Sequence, residues 1–212
     1  YDADVVVMCV GFYPNTEIFK RQLDMLPNGA IKVDEYMKTS SPDVVAAGDC
    51  CTVFFNPSQE QMYIPLATNA VRMGTLAAVN ICENKIKHPG TQGSSGIKIY
   101  EYNMAATGIS EEVGEKMGLN VTSITIEDNF RPEFMPSYEK VTFKVVFDKD
   151  TREIKGAQLN SKFDLTQSIN TLSVCIQNKM KVEDLAFVDF FFQPHYNKPW
   201  NFINLVGLES LK

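Results

Sequence analysis

The chain has 212 residues, of which 44% are apolar and 22% charged, with a formal net charge of -6 at pH 7. That length holds one large domain or two small ones, and the negative charge argues against a nucleic-acid-binding or anionic-membrane surface. No apolar run approaches the ~20 residues of a membrane-spanning helix, and five cysteines without a Cys-x-x-Cys, beside two histidines (His88 and His195), exclude zinc-ligand spacing, so no metal site is expected.

Asp4 to Val10 reads as a first strand, apolar enough to be buried on both faces. A chain that opens on Tyr1 and enters an interior-type strand this soon is expected to be a piece of a longer protein. Gly11 to Thr16 forms a turn in which Gly11 either admits a ligand closely or serves as a plain turn glycine. Residues 17–26, with Ile18, Phe19, Leu23 and Leu26, predict a short helix. Asn28-Gly29 is a hairpin-type turn, and Ile31 and Val33 alternate with Lys32 and Asp34 as in a half-exposed strand.

Val44 to Ala47 is a short apolar run suited to a buried strand, ending in Gly48-Asp49. A carboxylate at a strand's carboxyl end lies where open α/β sheets bind ligands, and it only accepts hydrogen bonds, so it suits a ligand rich in hydroxyls. Alone, the dipeptide reads as an ordinary strand end with an Asp turn. Residues 52–63 predict a loop, and a helix follows from Pro65 through Ile81 with Pro65 in its first turn. Ala67, Ala70, Gly74, Ala77 and Ala78 form a small-residue stripe that permits close packing, and the helix amino terminus favours a ligand that gains negative charge. A plain core helix would show the same stripe.

Three glycines and a proline within residues 87–96 mark a break, taken as a domain boundary. Beyond it the pattern is α+β. Strands are predicted at 97–102, 121–126, 141–147 and 153–159. A helix opens at Glu111 after Ser110 as cap and stops at Gly118; another follows Asp164 with Leu165, Ile169, Leu172 and Ile176 on one face; a third runs from Val182 to Phe190. The tail crowds Phe187, Phe190, Phe191, Phe192, His195, Tyr196, Trp200 and Phe202 into 16 residues, a composition equally suited to an interface, a site lining or packing on its own core. Each cysteine reads as a small core hydrophobe in a reducing, cytoplasmic setting, and nothing else in the sequence supports a strained vicinal bridge between Cys50 and Cys51.

Four segments together resemble one family: Val10-Gly11-Phe12-Tyr13-Pro14-Asn15-Thr16, Ser41-Pro42-Asp43-Val44-Val45-Ala46-Ala47-Gly48-Asp49, Gln92-Gly93-Ser94-Ser95-Gly96, and Phe190 to Asn201. They resemble the flavin-dependent pyridine nucleotide–disulfide oxidoreductases, in the branch of NADH oxidases, NADH peroxidases and coenzyme A-disulfide reductases, over the carboxyl-terminal half of such an enzyme. The resemblance implies an α/β and α+β fold: a partial Rossmann-like FAD/NAD(P)-binding region followed by an α+β dimerisation domain with an antiparallel sheet. It places the end of an NAD-binding domain at 1–11, part of an FAD-binding domain at 12–96 and the interface domain of a homodimer at 97–212. It implies that Asp49 holds the ribityl chain of FAD, that Pro65, Leu66 and Ala67 lie against the flavin's pyrimidine end, that Gly11 and Gly96 line the path of NADH, and that Phe192 and Tyr196 reach toward the partner's flavin. The small-molecule acceptor would be oxygen, peroxide or a disulfide. No Gly-x-Gly-x-x-Gly is present. None of the five cysteines matches the family's redox cysteine, His195 follows Pro194 rather than preceding a proline, and no catalytic residue is assigned to this chain, which alone is expected to be inactive.

Overall fold

The structure is a computed structural model and describes residues 2–212. Tyr1, the first residue of the predicted segment 1–11, lies outside the described residues. The chain forms two compact units, one running to Val53 and resuming at Gln61–Pro89, the other comprising Phe54–Glu60 and Gly90–Lys212.

In the first unit, Ile31, Val33, Met37, Cys51 and Val53 pack against Met73 and Ala77. Burial alternates as predicted, with Ile31 and Val33 inside and Lys32 and Asp34 outside. The ladders are nonetheless single bridges, Met25 with Ile31, Ile31 with Cys51 and Lys38 with Val45, rather than strands over 31–33 and 44–47. The strand predicted over 4–10 does not form, and Val5, Val6, Val7, Met8 and Val10 are all at least 76% exposed. Apolar residues can fill a strand, but the ladder's hydrogen bonds must come from a neighbour. The helix predicted over 17–26 shrinks to a 3-10 turn at Glu17–Phe19, because Arg21 adopts a left-handed φ of 69° that no helix continues through. The loop predicted over 52–63 contains a hairpin of two short strands, β1 (Val53–Phe55) and β2 (Glu60–Met62), with Pro57 and Ser58 in its turn.

Helix α1 spans Ala67–Asn80 and buries Asn69, Met73, Ala77 and Asn80 at helical spacing. Pro65 precedes the cap residue Leu66 instead of entering the first turn, since Leu66 is still extended at φ -139°, ψ 136°. The Asn80 side chain closes the far end, accepting from the Lys85 and Ile86 N–H groups and donating to the Ile86 carbonyl. The small-residue stripe is split: Ala77 is buried, while Ala67, Gly74 and Ala78 are exposed.

The second unit holds five antiparallel strands in the order β3-β4-β7-β6-β5: β3 (Ser95–Ile99), β4 (Tyr102–Gly108), β5 (Val121–Asn129), β6 (Lys140–Asp148) and β7 (Ile154–Ser161). Val141, Phe143, Val145 and Phe147 of β6 are buried, whereas Thr142 and Lys144 between them face the opposite side. The buried side carries α3 (Ile169–Gln177) and α4 (Phe202–Glu209), whose Leu172, Ile176, Phe202 and Val206 complete the core. The short helix α2 (Glu111–Lys116) is capped as predicted, with Ser110 accepting from the Val113 N–H and Gly118 turning out at φ 75°. The helix predicted from Val182 is a 3-10 helix ending at Phe187. Neither strand β4 nor helix α4 is expected from the sequence. At Gly207 of α4 the chain comes very close: a Cβ there would lie 2.2 Å from the Ala186 backbone nitrogen, so only glycine lets α4 settle on this segment.

Candidate functional site

The Gly48-Asp49 turn is positioned by the first unit's core and by α1. Gly48 has φ 85°, and a Cβ added there would touch the Ala70 Cβ at 3.4 Å. The left-handed backbone is what selects glycine here; the helix beyond would meet a Cβ in ordinary contact. The turn closes through the Cys51 N–H, which donates to the Gly48 carbonyl at 3.2 Å. Asp49 is exposed, and it directly follows Gly48, which lies against Ala70 at the end of the first turn of α1.

That first turn is open. Leu66 supplies no side-chain cap and no acidic residue lies in the turn; Ala67 and Thr68 are exposed, while Pro65 and Leu66 are half-buried. Asn69 turns away, donating to the Ile64 carbonyl at 3.0 Å and accepting from Arg72 at 2.7 Å. Tyr63 lies within the field of the same groups: partial burial, and then the negative charges of Asp49 and Cys50, push its phenol above the ordinary range. An exposed carboxylate accepts from ligand hydroxyls, and the neighbouring helix start favours negative charge on the same ligand. The pairing of Gly48 with Ala70, and Tyr63 beside Asp49, have no signal in the sequence, because each depends on residues 14 or more positions apart.

Gly11, in the first unit, has φ 89° and open space around its α-carbon. Gly96 belongs to the second unit, in β3 opposite Ala105. It lines a pocket of about 700 Å³ with Ile97, Met104, Lys144, Gln158 and Asn160. Phe192 and Tyr196 lie in a loop whose aromatic rings face outward: Phe191 packs edge-on against Tyr196 at 6.2 Å, and Phe187 against Trp200 at 6.3 Å, yet Tyr196 remains 65% exposed. Buried Asn197 shapes this loop, donating to the Phe191 carbonyl at 2.7 Å and accepting from the Gln193 N–H at 3.1 Å. His195 points outward, its N–H held by the Gln193 side chain at 2.7 Å. No three His, Cys, Asp or Glu residues among the described residues converge as metal ligands, and no helix among them is long and apolar enough to cross a membrane.

Residues 1–74 match the family described as pyridine nucleotide-disulphide oxidoreductase, and residues 94–201 match the dimerisation domain of that family. The chain belongs to the pyridine nucleotide-disulphide oxidoreductases, as its four motif segments imply. Among individual proteins, it is 55% identical over 212 residues to an NADH oxidase of Enterococcus faecalis, covering 100% of this chain and 48% of that protein. An NADH oxidase of Streptococcus pyogenes is 42% identical over 209 residues, covering 98% and 46%. The structure of the water-forming NADH oxidase from Lactobacillus brevis bound to NADH superposes with a TM-score of 0.96 at 47% identity, covering 100% of this chain and 47% of that one. The chain spans about half the length of the curated relatives it matches.

Proposed function

We propose that the protein to which this chain contributes is an FAD-dependent NADH oxidase-type oxidoreductase. The observation that carries the reading is the exposed Asp49 carboxylate set beside the uncapped start of α1 by the Gly48–Ala70 contact. These residues fit FAD: Asp49 accepts from the ribityl hydroxyls, and Pro65, Leu66 and the N–H groups from Ala67 onward sit at the pyrimidine end, where the helix terminus favours negative charge. When bound, FAD supplies the redox chemistry, taking hydride from NADH and passing electrons on to oxygen, peroxide or a small disulfide. Gly11 and Gly96 line the approach of NADH. The family's redox cysteine has no counterpart in this chain, so its own residues bind and orient and carry no catalytic step. The segment divides into the end of an NAD-binding domain at 1–11, part of an FAD-binding domain at 12–96 and an interface domain at 97–212. The last of these pairs two subunits in a cytoplasmic homodimer, with Phe192 and Tyr196 directed at the partner's flavin.

Titration of the intact protein with FAD, followed by flavin fluorescence, tests the site. Asp49→Asn removes one charge-assisted interaction, worth about 1.5–3 kcal/mol, so the affinity should fall roughly ten- to a hundredfold. Unchanged affinity would reject the assignment. Steady-state oxidation of NADH with oxygen, peroxide and coenzyme A disulfide in turn identifies the acceptor. The dimerisation-domain match favours a second role for this chain taken alone, a non-catalytic pairing module. Such a module should purify without flavin absorbance.

A further inference from the structure

Cys50 and Cys51 follow Asp49 in the turn, and their surroundings differ from those of the other cysteines. The Cys50 thiol donates to the Ala47 carbonyl and the Cys51 thiol to the Gly48 carbonyl, each at 3.4 Å, so both sulfurs fold back over the turn. The two sulfurs also lie within interaction range of each other. Cys50 is half-buried and within reach of a small reagent; Cys51 is 3% exposed and lies in the core. Cys175 is buried in the other unit, and Cys9 and Cys82 are exposed.

We infer that Cys50 and Cys51 form a reactive vicinal thiol pair, in which Cys50 is oxidised by hydrogen peroxide and Cys51 then closes a reversible disulfide. The inference stands apart from flavin binding and from the electron path proposed above. The acid–base order within the pair suits it. Once Cys50 ionises it no longer donates to Ala47, and the Cys51 thiol can swing from the Gly48 carbonyl to donate to it; that contact pulls the Cys50 thiol down to about 6, against the opposing effects of burial and of the Asp49 charge. The same bond, with burial and the charges of Cys50 and Asp49, pushes the Cys51 thiol up. Near neutral pH the outer sulfur is thus a thiolate and the inner one keeps its proton. Tyr63 also feels the Cys50 charge and stays a neutral phenol. Burial raises Cys175 to about 11, which leaves it inert.

The chemistry balances in two steps. The Cys50 thiolate attacks one peroxide oxygen, the O–O bond breaks, hydroxide leaves, and the sulfur is oxidised to a sulfenic acid. The Cys51 sulfur then attacks the sulfenic sulfur; the S–O bond breaks, and the departing hydroxide takes the Cys51 proton to leave as water. Two thiols and one peroxide become one disulfide and two waters, counting the proton that the first hydroxide takes from solvent. Adjacent α-carbons sit about 3.8 Å apart, shorter than the usual disulfide span, so the bridge is strained and readily reduced. That strain makes it a reversible mark rather than a structural staple.

Peptide mass spectrometry of the intact protein, alkylated before and after one equivalent of peroxide, decides the matter. The peptide carrying Cys50 and Cys51 should lose about two mass units, resist alkylation, and regain both alkyl groups after dithiothreitol. In Cys51→Ser, where the second step is blocked, dimedone should instead trap a sulfenic acid on Cys50. Alkylation of Cys50 in the unmodified protein should reach half its limiting rate below the pH of an ordinary thiol. The proposal fails if the peroxide-treated wild-type peptide remains doubly alkylatable, or if Cys50 is alkylated no faster than Cys175 at neutral pH. Both measurements use the wild-type protein, so a misfolded Cys51→Ser would not obscure the answer.

Discussion

Asn204 shows how much one buried polar side chain can hold. It is 1% exposed, donates to the Leu185 carbonyl at 3.0 Å and the Val188 carbonyl at 3.1 Å, and accepts from the Asn201 N–H at 3.2 Å. It thereby joins the start of α4 to the 3-10 segment before it. Asn204→Leu removes the donor and acceptor together and strands those backbone groups in the core. A loss of about 2–3 kcal/mol is expected in urea unfolding, seen as a lower midpoint at unchanged slope. None of this was legible in the sequence, where Asn204 lies in a tail dominated by aromatics and prolines. Asp49 was legible as a carboxylate at a turn. Its exposed position beside α1 was not, because the contact that sets it joins Gly48 to Ala70.

At the scale of elements, local chemistry served best where ends are made by neighbours. Ser110 and Gly118 bound α2, and the alternation of β6 sorts its faces, because caps and pleats act over a few residues. What anchors α2 is a contact between elements. Glu111 accepts from the Lys144 ammonium of β6 at 2.8 Å and from the Ser123 hydroxyl of β5 at 2.6 Å. Lys144 first, and then Ser123, hold the Glu111 carboxyl below its usual range. A carboxyl depressed on folding adds stability above its unfolded pKa of about 4.3, and that stability is lost as pH falls through the folded value. Glu111→Gln should therefore cost about 1 kcal/mol at neutral pH. The difference from wild type should vanish in urea titrations carried out in acid below both values. A deficit that persists undiminished there would show that packing, rather than charge, sets it.

For the whole molecule, the aromatic loop carries the expectation. Phe192 and Tyr196 are 47% and 65% exposed on a loop pinned by Asn197, and the segment matches a dimerisation domain. If they reach the partner subunit, replacing both with Ala should weaken the dimer by about tenfold or more in sedimentation, with the monomer's circular dichroism unchanged. A wild-type protein that stays monomeric at high concentration would count against that pairing. The sequence by itself determined the family and, through that resemblance, the antiparallel sheet of the second unit; the α+β pattern, a helix read from Pro65 through Ile81 and the caps of α2 followed from short motifs or from a period of two or 3.6 residues. Tertiary structure alone decided that 4–10 finds no ladder, that 52–63 folds into a hairpin, that Gly48 meets Ala70 and that one of two adjacent thiols is open while the other is sealed. Those outcomes depend on which distant backbone arrives to supply hydrogen bonds or exclude water, and no local pattern encodes that arrival.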